Sequence, residues 1–298
     1  MNSETFQVYK HSGKFGVHGP ILALLISIAV GLPLSIAYAY IVKWIPFVYV
    51  TFLATIGYGL VFGFIGGYFL RLGNVRNTSV AFLTGLLCGL AASYLSWSGY
   101  LFAIITEKTP VYWPDQIFRA MQILYEHGSW GMHNSGPVNG VPLVIVWVVE
   151  AALIIGFTTM TAFGMVAATP YCEVNQCWLD KEKKIDTLES FTDPEQLAAF
   201  KAGDLAPLSK AKPKISGAQV FARLTLKHSP KCDIFYTIRI QDVVIERDKN
   251  GNPKEKVKDI TKDLMLPHAM FELIAKFENF TAPATSPEPH STPASEKS

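Results

Sequence analysis

The sequence predicts a membrane protein in two parts: an all-α, four-helix transmembrane bundle, and after it a small cytosolic α+β domain. Three observations predict it. Charge is segregated, with nine Asp, Glu, Lys and Arg residues between Pro20 and Ala168 and thirty-eight after Ala168. Half of all residues are apolar and the mean hydropathy is +0.25, which excludes a disordered chain and is too greasy for an ordinary soluble enzyme. Four apolar stretches within 20–168 each reach the roughly 20 residues that a helix needs to cross a hydrocarbon core. The resulting parts are an N-terminal cytosolic arm (1–19), the transmembrane part (20–168), the α+β domain (169–280) and a Pro/Ser/Thr-rich tail (281–298) that should be disordered.

The spans are placed at 20–42, 46–70, 79–105 and 141–168. Hydrocarbon offers the backbone no hydrogen-bond partners, so each span must be a helix. The first could be mistaken for a secretory signal, since Lys10 and Lys14 precede an apolar run that reaches Ala37-Tyr38-Ala39. The polar lead is long, however, and the run continues to Val42, so a span is the reading kept. Basic connections set the orientation. The arm carries Lys10 and Lys14, the second connection Arg71 and Arg76, and the segment after the fourth span Lys181, Lys183 and Lys184. The third connection, 106–140, balances Lys108 and Arg119 against Glu107, Asp115 and Glu126. Both termini are therefore expected inside, with 106–140 outside. Trp44, Trp113 and Trp130 fall on the outer side, where an aromatic belt belongs.

Within the spans, Gly59, Gly63 and Gly67 recur every four residues, a spacing that lets two helix backbones approach closely. Packing inside one bundle is the plainer use; a dimer face, and so a homo-oligomer, is the sharper one. Glu150 is the one charged side chain inside the four spans. A carboxylate there should face the bundle interior and be protonated or paired. Its expected surroundings are Trp147 on its own helix and Tyr94, Trp97 and neighbouring serines of the third span. A proton or ligand site competes with a hydrogen bond that fixes helix register, and the latter is the plainer account.

In the outer connection, 115–127 reads as an amphipathic helix lying on the outer leaflet, with Ile117, Phe118, Met121, Leu124 and Tyr125 on one face. A glycine-rich turn follows. His127 and His133 are weak metal candidates, because no acid pair accompanies them.

After Ala168 the chain is balanced, with nineteen basic and nineteen acidic residues, which argues against nucleic acid as a partner. It contains no phosphate-binding glycine loop, dinucleotide fingerprint or nucleophile elbow. Thr192-Asp193-Pro194-Glu195 starts a helix that ends near Gly203. Alternation predicts strands at 219–227 and 233–247, and Asn250-Gly251 turns the chain into a third at 256–264. A final helix is expected over 267–280. The domain is thus a three-stranded antiparallel meander with flanking helices. Cys88 lies in the third span as packing. Cys172 and Cys177 form a Cys-x4-Cys, and Cys232 follows His228 by four residues. In a reducing compartment these do not form a stable disulfide. Cys172, Cys177, His228 and Cys232 together make a candidate tetrahedral zinc site that would clip the membrane-proximal segment to the sheet.

Several short motifs carry a resemblance. These are Ile45-Pro46-Phe47 with Tyr49, Arg76-Asn77, Trp147 with Glu150-Ala151, and Pro170-Tyr171-Cys172-Glu173 with Cys177-Trp178. In these the chain resembles a family of uncharacterised bacterial four-span inner-membrane proteins. The resemblance covers the membrane part and the cysteine knuckle. It implies the bacterial inner membrane and no particular activity.

Three functions remain in play. The first is a non-enzymatic membrane anchor whose cytosolic domain binds a protein partner or regulates an assembly. The second is a small transporter or channel using Glu150. The third is a membrane-embedded enzyme acting on lipid or quinone, with Glu150 and the outer histidines as its polar groups. The absence of converging catalytic groups favours the first.

Overall fold

The computed structural model describes residues 5–45, 48–106, 110–129 and 137–279. Pro46, Phe47, Trp130, His133 and the tail 281–298 lie outside the described residues. The chain divides into two compact units. One is His11–Tyr171; the other joins Met1–Lys10 to Cys172–Ser298.

The first unit is helical: α1 (His18–Trp44), α2 (Val48–Leu72), α3 (Thr78–Leu101), α4 (Pro114–His127) and α5 (Gly140–Ala167). Helices α1, α2, α3 and α5 are long and apolar enough to cross a membrane. Polar residues mark the helix starts. Asn77 Oδ1 accepts from the Ser79 and Val80 amides at 3.0 and 3.1 Å, and Pro114 and Asp115 open α4. A single π turn, Phe102–Thr106, extends α3. Trp44 and Trp113 are exposed at their helix ends.

Small residues set how closely these helices approach. The stripe on α2 lies against α5: a Cβ added at Gly63 would stand 2.5 Å from the Thr161 Cβ and 2.9 Å from the Thr158 carbonyl oxygen. At Gly59 it would meet the Ile154 carbonyl at 3.0 Å, and at Gly67 the Met165 sulfur at 2.5 Å. Gly85 and Gly89 of α3 make a second close approach, to Thr159 and Ile155 of α5. Gly99 sits on the Ser35 backbone of α1.

The second unit is built on an antiparallel sheet. A two-residue pair, β1 (Tyr171–Cys172) and β2 (Cys177–Trp178), leads into β3 (Lys181–Glu189). Then come α6 (Pro194–Lys201), β4 (Val220–His228), β5 (Phe235–Arg247), β6 (Pro253–Asp259), β7 (Leu264–Pro267) and α7 (Phe271–Ala275). The sheet order is β3-β4-β5-β6, with β7 also on β5. Asp193 caps α6 through the Glu195 amide at 3.0 Å, as the sequence suggests. The core is one cluster in which Ile185, Phe200, Leu224, Tyr236, Ile238, Leu264 and Ile274 are all buried.

The structure corrects the three-stranded meander. The sheet has five strands, because β3 was not expected and the third strand is split. Strand β3 hides its alternation: its two buried residues, Ile185 and Leu188, are three apart, and the register against β4 shifts between them. A bulge of this kind breaks the period-two signal. Strands β6 and β7 are one return path along β5, interrupted near Thr261, whose Oγ1 accepts the Ile240 amide at 2.9 Å. The final helix is also shorter than expected: α7 has five residues, flanked by single 3-10 turns.

Residues 5–10 of the N-terminal arm are part of this second unit. The Phe6 amide donates to Gly203 O, the Tyr9 amide to Asp263 O and the Met265 amide to Gln7 O, all at 2.8 Å. Tyr9 stacks on Phe235. On the outward face of the sheet, the guanidinium of Arg223 is forked between two carboxylates. Its Nε and Nη2 donate to Asp186 at 2.6 and 2.8 Å, and its Nη1 donates to Glu255 at 2.8 Å. That guanidinium holds the Glu255 carboxyl below the usual carboxylate range.

Two outcomes follow. Gly63→Leu should destabilise the detergent-solubilised chain by about 1–3 kcal/mol through overpacking against Thr161, whereas Gly57→Ala, which meets nothing within 4 Å, should not. Thermal unfolding of the two variants side by side checks this. The depressed Glu255 contributes stability that is complete above the ordinary carboxylate value of about 4.3 and lost as pH falls through its lower folded value. Because Glu255 is largely exposed the effect is small. Denaturation followed from neutral to acid pH should therefore show a shallower loss in Glu255→Gln than in the unaltered chain.

Candidate functional site

Two polar constellations stand out, one in each unit. In the helical unit, Glu150 of α5 is hydrogen-bonded to α1. The Tyr38 hydroxyl donates to Glu150 Oε1 at 2.6 Å, and Thr55 Oγ1 of α2 lies 2.8 Å from the same hydroxyl. Thr55 donates back to its own helix at Thr51 O, 2.9 Å away. Tyr58 stacks on Tyr38 with ring centroids 4.8 Å apart and donates to Ala92 O of α3 at 3.1 Å. Tyr38, Thr55 and Tyr58 are buried. The cluster therefore draws one polar group or more from every long helix.

This corrects the expected surroundings of Glu150. Its hydrogen-bond partner, Tyr38, comes from the first helix. Trp97 of α3 and Trp147 of α5 do meet, edge to face at 5.0 Å. Tyr94 turns away and donates to Tyr112 O. What sequence reasoning missed is Tyr38. A tyrosine inside an apolar span is a signal, since its hydroxyl must find a partner there. The outer histidines gain no support as a pair: His127 Nδ1 is 3.1 Å from Ile123 O of its own helix, and His133 lies outside the described residues.

In the second unit, Cys172, Cys177 and Cys232 converge. All three are buried, and their sulfur atoms lie within 4.8 Å of one another. The β1–β2 turn brings the first two together. Gln176 adopts φ 47°, a left-handed conformation rare outside glycine, and so reverses the chain over four residues. Cys232 arrives from the turn between β4 and β5. Asn175 ties the two turns: its Nδ2 donates to Lys231 O at 2.8 Å and to Asp233 Oδ1 at 2.9 Å. Leu179 and Phe235 close the surroundings. Burial pushes the Cys172 thiol up to about 11 and raises Cys177 as well.

His228 does not join this group. Its ring packs on Phe271 with centroids 5.1 Å apart, and its Nδ1 is buried with no hydrogen-bond partner among the described residues. Burial, with Lys183 and Lys181 nearby, lowers its basicity. His228 is the last residue of β4, whereas Cys232 lies in the connection to β5.

No protein-family model, curated protein or solved structure matches this chain.

Tyr38→Phe should cost about 1–3 kcal/mol, because it removes the donor to a buried carboxyl group. Glu150→Gln keeps an acceptor for Tyr38 and should stay close to the unaltered chain. Guanidinium or thermal unfolding in detergent distinguishes the two.

Proposed function

We propose that this chain is an integral membrane protein whose four-helix bundle anchors a cytosolic sheet domain that binds a protein partner or regulates an assembly. One observation carries the reading. Residues on both sides of the helical segment belong to one folded unit: the arm at Phe6–Tyr9 is hydrogen-bonded to Gly203, Asp263 and Met265. A bilayer cannot divide a folded unit. This supports an arrangement with the arm and the sheet on one face of the membrane, which an even number of spans also gives. The basic connections favour the cytoplasmic face, and the proposed setting is a plasma (bacterial inner) membrane.

Two further features support an anchor over a transporter. Glu150 is engaged by Tyr38, and Tyr38 by Thr55, so the carboxyl group is used to tie α5 to α1 and α2. The glycine stripe of α2 is occupied by α5, which supports internal packing over a dimer face. The surface offered to a partner is the outward face of the sheet. There Glu182, Lys184, Arg223, Thr225, Lys227, Arg239 and Gln241 line a shallow hollow of about 260 Å³. Both signs of charge are interspersed, which suits a protein surface better than a polyanion.

The test is sidedness together with capture. Single-cysteine labelling in intact cells should modify the connection at Ser129 and leave positions in the arm and the sheet untouched; inverted vesicles should reverse this. Cross-linking through the Arg239 face should retrieve the same protein reproducibly. Labelling of the sheet from outside, or no reproducible partner, overturns the reading. Glu150→Gln altering a flux in proteoliposomes would point to transport instead.

A further inference from the structure

We propose that Cys172, Cys177 and Cys232 bind one soft divalent cation, Zn²⁺, through three thiolates, with the fourth position taken by a small exogenous ligand and not by His228. The metal goes beyond the anchoring reading. Its supply as cytosolic zinc rests on that reading; the binding itself does not.

Geometry is the first argument. Zinc–sulfur bonds of about 2.3 Å in a tetrahedron place sulfur atoms about 3.8 Å apart. Sulfurs already within 4.8 Å of one another need to draw in by roughly an ångström to reach that spacing. Two chain turns more than fifty residues apart in sequence supply them. The turns are locked together by the two hydrogen bonds from Asn175, which involve none of the sulfurs. The constellation is therefore held by something other than the ligands themselves, as a preorganised site should be.

The surroundings are the second argument. Polar groups already lie beside the sulfurs: the Cys172 thiol donates to Asn175 Oδ1 at 3.9 Å, and the Cys232 amide donates to Ser229 O at 3.0 Å. Polar neighbours of this kind orient metal ligands. Local strain is spent on the same turn, at Gln176. A disulfide would consume two of the sulfurs and leave the third in an apolar pocket. A cation uses all three. On binding, each thiol releases its proton to solvent, and Cys232 gives up its 3.3 Å hydrogen bond to Phe235 O.

The ligand count is the third. Among the described residues no histidine, aspartate or glutamate joins the sulfur triangle. Asp233 follows Cys232 in sequence, but its carboxylate accepts from Asn175. Three protein ligands leave one position open, so the bound ion should exchange faster than in a four-thiolate site. Bound zinc would fix the hairpin that follows α5 to the β4–β5 turn and add its binding free energy to the folding of the sheet unit.

The experiment uses the full chain in detergent, kept reduced, stripped with chelator, given Zn²⁺ alone and desalted. Elemental analysis should find one equivalent of zinc in the unaltered chain and in His228→Ala. Cys172→Ser and Cys232→Ser should each bind at least about 100-fold more weakly. Cd²⁺ in place of zinc should give a sulfur-to-metal charge-transfer absorption, diminished in each cysteine variant. A measurement needing no variant guards against misfolding. Zinc should protect Cys172, Cys177 and Cys232, but not Cys88, from alkylation mapped by mass spectrometry. Absence of zinc in the reduced chain, failure to protect, or retention in Cys232→Ser overturns the proposal. Loss of zinc in His228→Ala overturns the open fourth position and restores a four-ligand site. Sidedness labelling of the sheet from outside, with zinc still bound, would sink the cytosolic anchor and leave the metal site standing.

Discussion

Hydrocarbon supplies no hydrogen-bond partners, and the helical unit is organised around that constraint. Several of its hydroxyls are settled in two ways, while Ser98 Oγ is buried with no hydrogen-bond partner among the described residues. Some bond to their own helix: Ser35 to Leu32 O, Thr84 to Val80 O, Thr159 to Ile155 O. Others cross to a neighbour: Tyr58 to Ala92 O, Tyr38 to Glu150, and Thr158 to Gly59 O at 3.0 Å. The last shows how packing and polarity depend on each other. Thr158 can reach a backbone carbonyl of α2 only because residue 59 has no side chain to hold the helices apart. The glycines thus do more than shorten an interhelical distance. They open carbonyls that a partner helix then uses.

The sheet unit meets the opposite solvent with a different division of labour. Strand β5 is its spine, thirteen residues long, with β4 along one edge and β6 followed by β7 along the other. Its inward positions, Tyr236, Ile238 and Ile240, are fully buried in the cluster that also takes Leu224 and Phe200. Its outward positions carry Arg239 and Gln241 beside Arg223 of β4, held by carboxylates from β3 and β6. Alternation along one strand therefore produces both the core and the polar face.

Much of this was legible in the sequence, and the misses have physical causes. Four helices were readable because hydrocarbon length and the near absence of charge are long-range signals. Strands β4 and β5 were readable because apolar residues alternate along them in the sequence, although in the fold β4 buries six consecutive residues. Strand β3 was not, because a bulge offsets its two buried residues. In the site of the helical unit, Glu150 was conspicuous by its charge, but its partner was not: which helix neighbours which is a tertiary fact, and nothing local in Tyr38 announces α5. The three cysteines were visible as candidates by spacing. His228 was added on the same grounds, and spacing does not reveal that its ring packs on Phe271.

The arm at residues 5–9 has a consequence for how the molecule is made. It is synthesised before the four long helices, and its partners at Gly203, Asp263 and Met265 after them. On the proposed topology the helices enter the lipid between the two events. The sheet unit can close only once its later strands have been made, so a finished fold on one face certifies that every crossing has been completed.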